Sequence, residues 1–353
     1  MIETLQGNFD FGVSAAVAVC CVLVIIARSI NGAGKPVGLK NHWIHSASVT
    51  RFGGVCVLVA IVIITLADRL NTHTLSTPLL WSATPLVLMG LSEDFGIEQR
   101  PSLRIIAGLA SGLIAVFLTG VWITEIEVPL FDLLLAFPII AIPLSAFAST
   151  TTAHSFNLVD GLNGLCSGLA VIALLFFGAL AFAVGDDEIL SFALLVASCV
   201  LGFWIVNIAT GRIFLGDAGA YFLGHSIAWI AILLAARYSI ISPWALLLGL
   251  IYPISETLIT IARRRLAGVP ISEPDSAHLH HMIYKFISQR TRTPKQVANS
   301  FSSILILLWS SVPAALAFAN YNFSITCFVV AVIFLLINIL AYRYLGRIVH
   351  QNL

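Results

Sequence analysis

Apolar runs, most of them about as long as a bilayer-crossing helix, alternate along this chain with short polar stretches. A hydrocarbon core takes about 20 apolar residues per helix. On that measure the 353 residues predict spans near Phe11–Ile30, Phe52–Leu70, Pro78–Leu91, Leu103–Trp122, Phe131–Ser149, Leu165–Val184, Ile189–Val206, Ala218–Ala236, Pro243–Ile261, Ser302–Ala319 and Phe323–Tyr342. The third run is short and the fifth contains Pro138 and Pro143, so one of them is expected to be merged, broken or tilted. The count is eleven, with ten as the alternative. The predicted fold class is all-α, a polytopic integral membrane protein. The first run is followed by a Gly/Lys-rich loop without a small-residue cleavage pattern, so it reads as a span and not as a removed signal. No internal repeat stands out, which disfavours the repeat-built secondary transporters.

Composition agrees: 59% of residues are hydrophobic and 10% charged, against about a quarter charged in soluble domains. That excludes a soluble protein of this length. A net charge of +1 gives no reason to expect nucleic acid. The six cysteines (20, 21, 56, 166, 199 and 327) lie in apolar runs without CxxC spacing, so they read as small buried hydrophobes.

The placement of charge says more than its sum. With the amino end outside and the carboxyl end in the cytoplasm, sixteen of the eighteen Lys and Arg fall on the cytoplasmic side, leaving only Arg69 and Arg237 outside. The outer segments are short. The inner ones, Asn31–Arg51, Ser92–Arg104, Thr150–Gly164, Asn207–Asp217 and Ala262–Ser300, are longer and polar.

Each inner segment offers candidate chemistry beside a plainer reading. Glu93-Asp94 ends the third span, where adjacent acids either share a hard cation or form a solvated helix end. Asp160 stands in Asn157-Leu-Val-Asp-Gly-Leu-Asn-Gly-Leu165, whose glycines admit close approach of a ligand or simply make a turn. Asp217, between Gly216 and Gly219 and three residues after Phe214, is either an N-cap or a metal ligand beside a stacking aromatic ring. The last segment carries Arg263-Arg264-Arg265, then His278, His280 and His281, then Lys285, Arg290 and Arg292. No Cys or HExxH partner completes a zinc set. Guanidinium and imidazolium donors together suit phosphate oxygens better, although the Arg run by itself reads as a positive-inside anchor. His73, His154 and His225 read as packing or surface residues. Acids for a divalent cation and bases for phosphate, all on one face, compose a site for a nucleotide diphosphate. Without a soluble domain, the second substrate is expected to be a lipid.

With these residues assembled, the chain resembles the polyprenyl-phosphate N-acetylhexosamine-1-phosphate transferases. The ordered motifs are His45…Arg51-Phe52-Gly53-Gly54, Glu93-Asp94, Asn157-x-x-Asp160-Gly-x-Asn-Gly-Leu, Phe214-x-Gly-Asp217-x-Gly, Pro253…Glu256-Thr257 and His278-x-His280-His281. The last looks like the GlcNAc-1-phosphate branch more than the MurNAc-pentapeptide branch. The resemblance implies one membrane-embedded domain over residues 1–353, in a bacterial inner membrane with its active site facing the cytoplasm. It implies Mg²⁺ (with Mn²⁺ as a substitute) on Asp217 and Asp94, and catalytic roles for Glu93, Asp94 and Asp160. Asn157, Asn207 and Phe214 fall at the family's nucleotide positions. His278, His280 and His281 match the loop contacting the donor phosphates; Arg100 and Arg104 lie in a basic stretch suited to the lipid phosphate, and His45 and Arg51 belong to the first motif. The implied partners are UDP-N-acetylhexosamine, undecaprenyl phosphate, membrane lipid and a second copy, since the superfamily often forms dimers. Departures are Glu93 for the usual Asp, Asn163 for a common Asp, Ala220 for a common Ser, and Ser48 and Thr50 for two prolines. They suggest a divergent branch serving O-antigen or capsule synthesis. Two rivals stay open at this point: a transporter or flippase of a phosphorylated solute, and an inactive member of the transferase family.

Overall fold

A computed structural model describes residues 19–26, 51–67, 73–270, 275, 277–291 and 293–351. His45, Arg69, Arg292 and the polar stretch before Arg51 lie outside the described residues. Every described element is helical: α1 (residues 19–26), α2 (Gly53–Ala67), α3 (His73–Ser82), α4 (Thr84–Asp94), α5 (Pro101–Thr119), α6 (Pro129–Leu135), α7 (Pro138–Leu158), α8 (Leu165–Val184), α9 (Asp187–Thr210), α10 (Gly216–Arg237), α11 (Pro243–Leu248), α12 (Ile251–Leu266), α13 (Leu279–Arg290), α14 (Lys295–Ala319) and α15 (Ser324–Gln351). Among the described residues, six helices are long and apolar enough to cross a membrane, or up to eight if each bent pair is one span. Each of the eleven predicted runs has helix at its place, but three are made of two pieces. The α3–α4 pair bends by 49° and the α6–α7 pair by 108°. Proline stands in the first turn of both second halves, Pro85 in α4 and Pro138 in α7, where its missing N–H costs no helical bond; before Pro138 the residue Phe137 is extended. The α11–α12 run is interrupted at Gly249 and Leu250.

Three of the predicted inner segments are partly helical. The segment Thr150–Gly164 was expected to be loop, yet α7 continues to Leu158. Its hydroxyls do not compete with the helix, because they bond back to carbonyls one turn earlier: Thr150 to Ala146 at 2.7 Å, Thr152 to Ala148 at 2.9 Å and Ser155 to Thr151 at 2.8 Å. Likewise α9 runs to Thr210, and α13 together with the start of α14 occupies much of Ala262–Ser300.

The bundle is built around α10, where 94% of the residues in its most apolar 18-residue stretch are buried, against 22% in α15, which turns a broad apolar face outward. Lipid is as apolar as leucine, so helices in a membrane associate by close packing of small residues. Here three helices meet α10 backbone to backbone. A Cβ on Gly54 of α2 would lie 2.4 Å from the Cα of Gly219. One on Gly90 of α4 would lie 2.4 Å from the nitrogen of Ala218, and one on Gly224 would lie 2.5 Å from the Cα of Ala153 in α7. Deeper in the bundle, His225 joins α10 to two neighbours, with Nε2 2.9 Å from the Ser82 hydroxyl and Nδ1 2.9 Å from that of Ser149. This is the packing role expected of it. At the end opposite Asp217, Asp186 accepts from the Ile189 N–H, Arg237 and the Tyr238 hydroxyl, and Glu127 accepts from Ser242 and Ser324.

Overpacking a tight contact costs about 1–3 kcal/mol. Gly54→Ala is therefore expected to lower the thermal unfolding midpoint in detergent, while Gly346→Ala, with nothing within 4 Å of the added methyl, leaves it unchanged or raises it.

Candidate functional site

The site begins at the amino end of α10. Gly216 has φ +80, a left-handed conformation that favours glycine, and a Cβ there would meet the Asp94 carboxylate at 2.7 and 2.9 Å. Its absence lets Asp94, from the end of α4, accept the backbone N–H groups of Asp217 at 2.9 Å and Ala218 at 3.1 Å. Asp94 is thus an N-cap supplied by another helix, its side chain 1% exposed. The chain entering α10 is fixed on its other side by α2, where the Gly53 and Gly54 N–H groups donate to the carbonyls of Phe214 and Leu215. A Cβ on Gly53 would strike the Phe203 ring and the Phe214 carbonyl, which accounts for the glycine pair after Phe52.

This frame aims Asp217 outward, with its side chain 26% exposed. One carboxylate oxygen accepts from the Asn157 amide at 2.7 Å, and the other lies 3.4 Å from the Arg51 guanidinium. Arg51 is also 3.9 Å from Asp94. Half-buried Asp160 feels Asp217, Asp94 and Arg51. Burial first, and then the negative charge of Asp217, push its carboxyl up to about 7, against the lowering effect of Arg51 and the Gly216 N–H. Glu93 takes a different direction: it is ion-paired with Arg104 of α5 and lies 3.5 Å from the Tyr221 hydroxyl.

The third wall is α13. Gly161, next to Asp160, lies against it so closely that a Cβ would meet His281 at 2.7 Å and His280 at 2.8 Å. His280 is fully buried, and neither ring nitrogen has a hydrogen-bond partner among the described residues. Burial and the adjacent His281 and His278 hold its imidazole well below the usual range, hence neutral. His278 stacks on it with ring centroids 5.3 Å apart and planes 2° apart. The α12–α13 connection is tied back by Arg264, which donates to the Pro270 carbonyl, and by the Arg263–Asp275 ion pair. Those two arginines serve the loop.

The structure therefore brings together Arg51, Asp94, Asn157, Asp160 and Asp217, with His280 and His281 beside them. Four other expected site residues make different contacts or stand apart. Asn207 is buried, and its amide donates to the Ile213 carbonyl, so it staples the α9–α10 turn. Arg100 is exposed at the N-cap position of α5. Arg104 faces Glu93. Phe214 is half-buried in the turn before Gly216. Sequence reasoning gave Tyr221 no role and Glu256 no atom to hold. The spacing of Tyr221, four residues after Asp217 on one helix face, is the signal that could have found it. Asn163 was flagged only as a departure. It is 1% exposed, its N–H donates to the Asn299 side chain at 2.7 Å, and its own amide atoms have no hydrogen-bond partner among the described residues.

A divalent cation suits this donor set. Asp94 and Asp217 lie 3.9 and 3.4 Å from the one guanidinium of Arg51, and Asp160 is electrostatically coupled to all three, so that when ionised the acids carry more negative charge than Arg51 offsets. Among the described residues no three His, Cys, Asp or Glu side chains are gathered closely enough to hold a metal by themselves. Mg²⁺ ordinarily takes only one or two carboxylates and completes its shell with water and substrate phosphate.

Replacing a carboxylate cap by alanine typically costs about 1 kcal/mol, so Asp94→Ala is expected to lower thermal stability, with Asp94→Asn, which keeps one acceptor, losing less. A carboxyl whose pKa is raised on folding lends stability below its unfolded pKa and loses it as pH rises through the folded value. In chelator-treated protein, stability should fall as pH rises from about 4 toward about 7, and Asp160→Asn should flatten that fall in melting curves taken across the range.

With this geometry in hand, the comparisons with known proteins are consistent. Residues 76–235 match the family described as Glycosyl transferase family 4. The chain is similar to the probable undecaprenyl-phosphate N-acetylglucosaminyl 1-phosphate transferase of Bacillus subtilis (strain 168), 31% identical over 285 residues, covering 78% of this chain and 77% of that one. It is also similar to the phospho-N-acetylmuramoyl-pentapeptide-transferases of Staphylococcus carnosus (strain TM300), 26% identical over 263 residues and covering 69% and 79% of the two chains, and of Moorella thermoacetica, 30% identical over 263 residues and covering 69% and 78%. The matched region contains the acids at the end of α4, the Asn157–Asp160 turn and the amino end of α10. The chain belongs to glycosyl transferase family 4, the polyprenyl-phosphate N-acetylhexosamine-1-phosphate transferase superfamily.

Proposed function

We propose that this protein transfers N-acetylhexosamine-1-phosphate from UDP-N-acetylhexosamine to undecaprenyl phosphate, releasing UMP, as the first membrane step of a cell-envelope polysaccharide such as O-antigen or capsule. The observation that carries the reading is Asp217. It is a half-buried carboxylate fixed by Asn157 and Arg51 at the mouth of a buried membrane helix, where an aqueous nucleotide and a lipid phosphate could both approach it. The Lys/Arg distribution supports a cytoplasmic placement of this face.

In the reaction a lipid phosphate oxygen attacks the sugar-bearing phosphorus of the donor. The bond to the UMP phosphate breaks, and UMP leaves with the electron pair. Phosphoryl transfer depends chiefly on positioning and charge neutralisation. A phosphomonoester has a second pKa of about 6, so the nucleophile is mostly dianionic at neutral pH and needs no strong base. Asp217 and Asp160 would hold Mg²⁺ or Mn²⁺, which supplies charge neutralisation to the diphosphate. Arg51 adds a cationic donor to the same phosphates. Asn157 keeps the Asp217 carboxylate turned toward them, and Asp94 keeps the helix that carries it in register. Glu93 and Arg104 neutralise each other beside this cluster. A carrier for a phosphorylated solute would want ionised groups at mid-membrane. Among the described residues the charged side chains stand toward one end of the bundle or the other.

The test is transfer from radiolabelled UDP-GlcNAc to undecaprenyl phosphate by purified protein, with other UDP-sugars in parallel. Lipid-linked product is expected with Mg²⁺ and not with chelator. Asp217→Asn removes an interaction worth several kcal/mol, hence at least about a hundredfold in rate. Absence of product from every UDP-sugar, or an Asp217→Asn variant as active as the parent, would sink the proposal.

A further inference from the structure

Glu256 lies in α12 with its side chain 1% exposed. A buried carboxylate is tolerated only when its oxygens are engaged. One oxygen accepts the Leu279 backbone N–H at 2.9 Å and lies 3.2 Å from the Nδ1 of His278. Leu279 is the first residue of α13 and His278 its N-cap position, yet no side chain of that segment caps the helix. Glu256 does so from outside. Thr260, one turn further along α12, places its hydroxyl 3.2 Å from the same Nδ1, so α12 grips the ring at two points on one face. A ring nitrogen that faces a carboxylate oxygen carries the proton, which fixes the tautomer and leaves Nε2 as the other functional nitrogen.

The neighbouring contacts make this grip a matter of site geometry. His278 stacks on His280, and His280 and His281 abut Gly161, beside Asp160. Thr257, next to Glu256, donates to the Ser155 hydroxyl at 2.9 Å, two residues before Asn157 on α7. Ser255 accepts from Asn338 of α15, which in turn accepts from Trp309 of α14. Three consecutive residues of α12 therefore reach α15, α13 and α7.

We propose that Glu256 is a positioning residue of the nucleotide-sugar site. It caps α13 and sets the tautomer of His278, and so fixes the three histidines against the Asp160 turn. This rests on the transferase reading for its kinetic consequence, but not for the cap itself.

The experiment uses the full-length protein in detergent. Removing a hydrogen bond to a charged group costs about 10- to 100-fold. Glu256→Ala is expected to raise the KM for UDP-GlcNAc by about that factor while the KM for undecaprenyl phosphate stays put. Glu256→Gln, which keeps an acceptor for Leu279 and His278, should recover most of the loss. Because Glu256 acts through His278, the Glu256→Ala/His278→Ala double variant should be no worse than His278→Ala alone. Amide exchange over residues 279–282 should accelerate in Glu256→Ala, and should not accelerate in α10. An unchanged donor KM, multiplicative losses in the double variant, or unchanged exchange over 279–282 would each overturn the proposal. If Glu256→Ala does not fold, Glu256→Gln decides by the same coupling to His278→Ala. A parent protein that transfers no sugar, but whose 279–282 exchange still responds to residue 256, would refute the transferase reading and leave the cap standing.

Discussion

The first turn of a helix buried on all sides has backbone N–H groups with nowhere to go, and this molecule answers that constraint with a carboxylate from another helix. Leaving such a donor unpaired costs about 1–3 kcal/mol, and α10 must begin where water is scarce. Asp94 supplies the acceptor, Gly216 supplies the room, and the Gly53 and Gly54 N–H groups pin the incoming strand of chain from the far side. Asp217 owes its position to all three. The solution recurs twice near the same face. Glu256 caps α13, and at the carboxyl end of α9 the side chains of Gln296 and Ser300 donate to the carbonyls of Thr210 and Ile208. Helix ends here are finished by neighbouring helices, so the ends are also the joints of the site.

Much of this was legible in the amino-acid order. The apolar runs located helix at every predicted span, and the acids and glycines marked the face where chemistry gathers. The shortness of the third run and the prolines of the fifth marked where one break was expected, and both runs turn out to be broken. What stayed hidden depends on partners distant in sequence. The amino-acid order shows Asp94 as an acid but not the helix end it caps, and Asn207 as an amide but not that it donates to the Ile213 carbonyl. The hydroxyl-rich end of α7 reads as loop because Ser and Thr favour turns. Only the bonds to carbonyls one turn back show that the helix absorbs them.

The glycines divide in a similar way. Gly216 is needed both for its backbone angle and for the space it leaves, whereas Gly54, Gly90 and Gly224 are needed only for what they leave out. From sequence both kinds look alike. A motif such as Phe-x-Gly-Asp-x-Gly therefore mixes a conformational requirement, a chemical group and a packing requirement in six residues, and each would fail under substitution for a different reason.

The His225 staple has a consequence at the scale of the membrane. Both of its ring nitrogens are occupied by serine hydroxyls, so three helices are joined by polar bonds that need no formal charge. Moving one elementary charge through the full membrane potential is worth about 2.3 kcal/mol per 100 mV. A bundle tied at mid-depth by neutral groups, with its ionised residues kept to the two ends, offers that field almost nothing to pull on. Its shape, and the alignment of Asp217 at its mouth, should be indifferent to whether the cell is energised.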